Sequence, residues 1–230
     1  MRLRLQFAIL LLLAGMVQAQ AQVVDRMVAV VNKQVILESE LDQAARVEFL
    51  LQGKPIAVLD QADRAAVLDR LIERSLLDQQ IVNPAMLDPT PEELAAKVKE
   101  VRAGIHGAAG TSDAGWKAFL ASYGLTQQDL EEQLTDQVRI LRFIDLRFRG
   151  LVRVEKDAIE TYYQEKFLPE IHKRNAAEPR LEEVSDKIEQ ILIEQRIGEL
   201  LNNWLKTLRA QAHIEKMLPA PPPSAAGATP

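Results

Sequence analysis

The chain has 230 residues, no cysteine, and 28 basic residues against 33 acidic ones. The absence of cysteine excludes disulfides, zinc–thiolate sites, iron–sulfur clusters and cysteine nucleophiles. The acidic balance argues against a nucleic-acid ligand, because such ligands require clustered positive charge to replace phosphate counterions.

Residues 1–21 have the three-part layout of a secretory signal peptide. Arg2 and Arg4 supply the positive start, an apolar stretch follows, and Ala19 and Ala21 form the small-residue cleavage pattern. The apolar stretch is too short to span a bilayer comfortably, although an uncleaved N-terminal anchor is the competing interpretation. Cleavage after Ala19 or Ala21 predicts an exported protein without stable membrane insertion.

The remaining chain predicts a mainly helical fold that opens with short strands. Two β-branched runs flank Asn32-Lys33, a pattern typical of a strand, a turn and a second strand. Ser39 stands three residues before Asp42, which predicts a helix that begins there with a capping box. A second helix is predicted from about Asp60 to Ile81, where apolar residues recur at helical spacing.

Two strong helix-start signals lie in the middle of the chain. Thr90, Pro91 and Glu93 supply an N-cap, a first-turn proline and a closed capping box. Thr126 and Asp129 repeat the signal ahead of a long apolar stripe. Both positions are therefore predicted to begin helices.

The C-terminal third predicts two more helices and a strand. One helix should end at Pro169, because proline inside a helix lacks the backbone donor and clashes with the preceding turn. Apolar residues from Leu181 to Leu208 mark a helix of unusual length. Residues 212–217 alternate like an edge strand, and the Pro/Ala tail at 218–230 is predicted to be disordered.

No residue pattern points to catalysis, a cofactor or a metal. His106, His172 and His213 lie on unrelated segments without metal-ligand spacing. Adjacent carboxylates on one helix do not converge on a single point, so they do not form acid/base pairs. We therefore predict no catalytic, cofactor-binding or metal-binding residues.

Apolar side chains beside loops are the candidate client-binding residues. Met86 and Leu87 lie in a proline-flanked loop, whereas Trp116, Phe119 and Tyr123 follow a glycine-rich stretch. Adaptable apolar surfaces of this kind accept many partners. Core packing is the alternative for each aromatic.

The order of several segments resembles the SurA family of periplasmic chaperones. The stretch 24–42 is similar to the start of mature family members, 67–80 to their second helix, and 124–142 to a later signature. Residues 154–163, which end in paired tyrosines, also fit. Together the matching segments extend over residues 23–167.

The resemblance also implies what this chain lacks. In many family members the paired tyrosines lead into a parvulin-type prolyl isomerase domain, after which a long helix and a strand return. Here 17 residues separate Tyr163 from Leu181, too few for such a domain. The resemblance implies one chaperone domain at 22–217, with a helical core at 22–168 and closing elements at 179–217, and no isomerase activity.

The function implied by the resemblance is that of an ATP-independent periplasmic chaperone without a cofactor. Its partners would be unfolded or nascent envelope polypeptides, outer-membrane protein precursors among them, held in an apolar cradle. One alternative is a structural adaptor that docks a single envelope partner. A homodimer that exchanges the C-terminal helix is an alternative for the oligomeric state.

Overall fold

The computed structural model describes residues 25–105 and 112–217. The predicted signal peptide at 1–21, the predicted tail at 218–230 and His106 lie outside these residues. Within the two described ranges, no helix combines the length and the apolar character needed to cross a membrane.

A small antiparallel sheet joins the two ends of the described chain. Strand β1 (Met27–Val31) pairs with β2 (Gln34–Leu37), and Asn32 in the turn has a φ of 58°, which asparagine adopts more readily than most residues. Strand β3 (Ile214–Lys216) lies along the other side of β1, which gives the order β2-β1-β3. The predicted hairpin and C-terminal edge strand are confirmed.

Helix α1 (Glu38–Leu51) begins earlier than the sequence predicts. The N-cap at Ser39 is wrong, because Leu37 occupies that position and its backbone N–H donates to Glu40 Oε2 at 2.7 Å. Ser39 Oγ instead donates to the carboxylate of Asp25. The serine therefore ties the start of the described chain to α1.

Further helices form the described part of the middle of the chain. They are α2 (Gln61–Asp78), α3 (Pro91–Gly104), α4 (Asp113–Ser122) and α5 (Gln127–Phe148).

The two predicted helix starts are confirmed at α3 and α5. Glu93 N–H donates to Thr90 Oγ1 at 3.3 Å, and Thr90 N–H donates to Glu93 Oε2 at 2.7 Å. Thr126 and Asp129 make the same reciprocal pair at the start of α5. Each pair satisfies two backbone donors that the first helical turn leaves without partners.

The helical run after α5 continues through the proline that was expected to end it. It consists of α6 (Lys156–Tyr162), a wider π turn (Tyr163–Phe167) and α7 (Leu168–Lys173). The predicted end at Pro169 is wrong because the π turn changes the backbone pairing just before it. Pro169 then lies in the first turn of α7, directly after Leu168, whose N–H donates to the Tyr163 carbonyl across the π turn.

Helix α8 (Leu181–Gln211) has 31 residues and returns to the start of the chain. The connection before it is closed by Tyr163, whose hydroxyl donates to the Pro179 carbonyl at 2.7 Å. Beyond α8, Ile214 packs partly buried against the core under the sheet. The prediction of a mainly α fold with a long helix and a final strand that return to the N-terminal part is confirmed.

Two hydrophobic cores share α1. The first core joins the sheet to α1 and α2, and its buried members are Val28, Ala29, Val31, Ile36, Leu41, Ala44, Ala45, Val67, Leu68, Ile72 and Leu76. The second core joins α1 to the end of α3, to α4 and to the start of α5. Its buried members are Val47, Leu50, Ile105, Trp116, Leu120, Leu125, Leu130 and Leu134. Because α1 contributes to both cores, it fixes the sheet relative to α5.

Candidate functional site

An apolar groove with a volume of about 410 Å³ opens where α1 and α2 face α5, and α8 completes its lining. The aliphatic side chains that line it are Ala44, Val47, Leu51, Val67, Leu71, Leu77, Ile140, Leu141, Leu201 and Leu205. Leu51 is 40% exposed and Leu141 is 58% exposed. The groove therefore presents large aliphatic side chains to solvent.

Adjacent aliphatic residues on α1 and α2, the helices that form one wall of the groove, face two different surfaces. Leu50 is buried in the second core, whereas its neighbour Leu51 lines the groove. Leu76 is buried in the first core, and Leu77 lines the groove. Successive residues are about 100° apart around a helix, so a pair of leucines widens the apolar stripe beyond what one core can cover.

Charged side chains border the groove on the α1–α2 side. Arg70 of α2 reaches Glu48 of α1, with its Nη2 2.6 Å from Oε2 and 2.7 Å from Oε1. This ion pair at the rim leaves the apolar lining accessible and links the two helices without contributing much to stability.

A second cavity, polar and with a volume of about 470 Å³, adjoins the groove. The two cavities share five lining residues, which are Ala44, Leu71, Arg74, Gln133 and Asp136. Arg74 of α2 forms an ion pair with Asp136 of α5, and its Nη1 donates to Gln133 Oε1 at 3.0 Å. A polar side-chain bridge therefore crosses from α2 to α5 where the two cavities meet.

Partial burial changes the protonation equilibria at this bridge. Desolvation lowers the pKa of Arg74 and raises the pKa of Asp78, which lies one turn further along α2. Both shifts have the direction expected when water is withdrawn from a charged group.

Trp204 fastens α8 to the end of α5. Its ring centroid lies 6.0 Å from that of Phe143 and 5.6 Å from that of Phe148, the latter in an edge-on arrangement. The guanidinium carbon of Arg147 lies 4.0 Å from the Trp204 ring centroid. Aromatic and cation–π contacts of this geometry stabilise the packing of two helices, and they hold the groove-lining part of α8 in place.

The three aromatic residues predicted to bind clients lie together on α4 and at its C-cap, Tyr123. Trp116 is 5% exposed and its Nε1 donates to Gln127 Oε1 at 2.7 Å. Phe119 and Tyr123 are partly buried against the second core and stack in series with Trp116. Contact of Trp116 with a client would require movement of the residues that cover it.

The two aliphatic candidates lie apart from α4, in the segment between α2 and α3, and Leu87 contacts α5 far from the site of Trp116. Met86, in a short 3-10 turn, is 78% exposed. The carbonyl of Leu87 accepts from Arg142 of α5. Gln127, which binds Trp116, lies 15 positions before Arg142 on the same helix, a separation of about 22 Å. None of the five predicted residues lines the groove, and client contact by any of them stays a prediction.

Comparison with known proteins identifies the family. The family described as the SurA-like N-terminal domain matches residues 3–143. The chain belongs to this family. The match includes the groove walls formed by α1 and α2 and most of α5, whereas α8 lies beyond it. The resemblance drawn from the order of sequence segments is therefore confirmed.

Curated chaperones of the SurA-like family resemble this chain over part of their length. Chaperone SurA of Pseudomonas putida is 30% identical over 159 residues, which is 66% of this chain and 35% of that protein. Chaperone SurA of Chromohalobacter salexigens is 30% identical over 173 residues, with shares of 72% and 39%. Chaperone SurA of Pseudomonas syringae pv. tomato is 29% identical over 154 residues, with shares of 66% and 35%. The chain spans little more than a third of the length of these relatives.

Proposed function

We propose that this chain is an ATP-independent chaperone of the periplasm that holds unfolded envelope polypeptides, including outer-membrane protein precursors, in the groove between α2 and α5. The observation that carries the proposal is the solvent-exposed aliphatic lining, with Leu51 and Leu141 at the opening. Exposed apolar surface of this kind is costly in water, and a bound apolar segment would remove that cost.

The energetics favour long clients held by weak contacts. Burial of apolar surface contributes about 25 cal/mol per Å², whereas ordering an unfolded segment costs a large part of that gain. A client must therefore cover several hundred Å² before binding becomes favourable. Because a long flexible segment can cover such an area, the groove favours unfolded chains over folded proteins. Because each contact is weak, the client can be released without ATP.

The test is suppression of aggregation by the mature chain. A denatured outer-membrane β-barrel protein is diluted into buffer with the wild type, Leu141→Lys or Leu51→Lys. We expect the wild type to reduce light scattering and both variants to be less effective, because a lysine in the groove opposes an apolar ligand. No reduction by the wild type would overturn the proposal.

Leu146→Lys is the matched control for Leu141→Lys. Leu146 lies on the same helix and is 76% exposed, but it does not line the groove. We expect Leu146→Lys to retain wild-type activity. Equal losses at both positions would indicate a general effect of added charge instead of a binding groove.

Export and the absence of isomerase activity are parts of the same proposal. N-terminal sequencing of the secreted protein should start after Ala19 or Ala21. A proline-peptide isomerisation assay should give no turnover above buffer, since the family match is to the N-terminal domain of longer chaperones. Turnover above buffer would refute the non-enzymatic part.

Crosslinking in cells separates the chaperone from the adaptor. A chaperone should give many crosslinked clients, because an apolar groove does not depend on one client sequence. A single stoichiometric band would support the adaptor, and a band at twice the mass of the chain would support the homodimer.

A further inference from the structure

We propose that Arg74 is a gate between the apolar groove and the polar cavity. In this proposal, movement of its side chain away from Asp136 joins both spaces into one channel for an extended client segment. The inference rests on the proposed function of the groove and adds how access to that site is controlled.

Both ends of the bridge have a second partner on their own helix. Arg74 Nε lies 3.8 Å from Asp78 Oδ2 on α2. Asp136 Oδ1 lies 2.7 Å from Arg139 Nη1 on α5. Removing a partner from a partly buried charge is normally costly. Here each charge keeps an opposite charge when the bridge opens, so the opening has a low free-energy cost.

The helices on both sides of the gate are held by other contacts. Leu130 and Leu134 fix the first half of α5 in the second core, and Gln43 Nε2 of α1 donates to Asp129 Oδ1 at 2.8 Å. The far end of α5 is held by the contact between Phe148 and Trp204. Helix α2 packs against the same α1 in the first core. The spacing between α2 and α5 is therefore set through α1 independently of the bridge, and the bridging side chain is the movable part.

The two spaces complement the two surfaces of an extended polypeptide. The groove offers aliphatic side chains such as Leu51 and Ile140 to apolar client residues. The polar cavity is lined by Gln34, Gln43 and Ser75. Gln43 Nε2 already donates to Asp129 and Ser75 Oγ to Gln34, so a client's peptide groups would use the remaining amide and hydroxyl capacity of these side chains or replace those bonds. A client segment that passes the gate would therefore satisfy apolar side chains in one part and backbone groups in the other.

Two leucine–serine peptides of about five and about fifteen residues provide the test, since extended chains rise about 3.3 Å per residue. The short peptide extends about 16 Å and the long one about 50 Å, so the long one has far more length with which to reach from the groove into the polar cavity. We expect Arg74→Ala to bind the long peptide about fivefold more tightly than the wild type, with no change for the short one. Equal effects on both peptides, or no effect on either, would overturn the gate.

Arg64→Ala is the matched control. Arg64 also lies on α2 and pairs with Glu38 and Asp42 near the start of α1, but it lines neither cavity. The Arg64→Ala substitution therefore removes ion pairs between two helices without opening the gate. We expect this variant to bind both peptides as the wild type does, and a gain for the long peptide like that of Arg74→Ala would overturn the gate.

A readout without a client separates the gate from the chaperone function. Ala44 is buried and lines both cavities, and the chain has no cysteine of its own. In an Ala44→Cys background, Arg74→Ala should accelerate reaction with a maleimide about fivefold. An unchanged rate refutes the gate even if peptides bind. A faster rate in a protein that binds neither peptide supports the gate and refutes the holding function.

Discussion

Asn32 and His213 bind each other twice across the two ends of the described chain. Asn32 N–H donates to the His213 carbonyl at 2.7 Å, and His213 N–H donates to Asn32 Oδ1 at 2.9 Å. Asn32 Nδ2 also donates to Gln79 Oε1 at 2.7 Å. One asparagine therefore joins the hairpin turn to the end of α2 and to the residue before β3.

Replacement of Asn32 by glycine should destabilise the fold by about 1–2 kcal/mol, because it removes the side-chain hydrogen bonds but tolerates the positive φ. The matched control is Asn175→Gly. Asn175 has a φ of 50°, and its side chain makes no hydrogen bond within the described residues. Urea unfolding measures both variants, and equal losses would show that the Asn32 side chain does not hold the chain ends together.

Gly124 and Gly53 have nearly the same backbone conformation and different surroundings. Their φ values are 67° and 64°, but a Cβ on Gly124 would meet the guanidinium of Arg46, whereas a Cβ on Gly53 meets nothing within 4 Å. Gly53→Ala should cost about 1 kcal/mol through the positive φ alone. Gly124→Ala should cost more, since Arg46 must give up its hydrogen bond to the Tyr123 carbonyl.

The excess cost at Gly124 should disappear in an Arg46→Ala background. Thermal unfolding of the single and double variants gives the coupling between the two positions. If Gly124→Ala and Gly53→Ala cost the same with Arg46 present, the guanidinium does not pack against this turn.

Acid should remove the stabilising contribution of Glu93. The Thr90 backbone N–H and the Arg142 guanidinium lower the pKa of Glu93 below its ordinary value of 4.5. A lowered pKa contributes stability that is complete above pH 4.5 and is lost as the pH falls through the folded value. Glu93→Gln should therefore be less stable than the wild type at pH 7, with a difference that shrinks in acid.

Urea unfolding between pH 7 and pH 3 measures this difference. Glu100→Gln is the control on the same helix, because Glu100 makes an exposed ion pair with Lys97, and such pairs contribute little. A constant difference in the free energy of unfolding between the wild type and Glu93→Gln across the pH range would contradict the prediction.

Without the Trp204 side chain, α8 should unfold locally at a lower free-energy cost than the remainder of the fold. Trp204→Ala removes the contacts with Phe143 and Phe148 and should cost about 2 kcal/mol, below the range for a fully buried tryptophan. Arg147→Ala removes only the two cation–π contacts of that guanidinium, with Trp204 and Phe148, and should cost about 0.5–1 kcal/mol. Hydrogen exchange should show the loss of protection in α8 and β3 first. Uniform loss across all helices would contradict this order.

Local signals in the sequence predicted most of the fold. Thr90 and Thr126 mark helix starts through their own side chains, and Asn32 marks a turn through its tolerance of positive φ. The sequence predictions were wrong where contact with another part of the chain determines the local structure. Ser39 is not the cap because α1 already begins at Glu38, so Ser39 lies in the first turn, where its backbone N–H and its hydroxyl both donate to Asp25. Pro169 lies within a helical run because a π turn directly precedes it and changes the backbone pairing there.

The candidate site was less predictable because it depends on the distance between helices. Ile140 and Leu141 belong to an ordinary amphipathic stripe, and no periodic pattern tells whether a stripe meets another helix or borders a groove. The available signal was the pairing of adjacent leucines, as in Leu50-Leu51 and Leu76-Leu77. The position of Trp116 beside a loop predicted a client contact instead, but Trp116 is buried in the second core.

Site-specific photocrosslinking tests the central claim most directly. A benzophenone amino acid replaces Leu141 or Leu51 in the groove, and Leu146 or Val82 on exposed surface outside it. With a denatured outer-membrane β-barrel protein, the groove positions should yield adducts and the two outside positions should yield few. Adducts of equal yield at all four positions, or adducts only at Leu146 and Val82, would contradict a client-binding groove between α2 and α5.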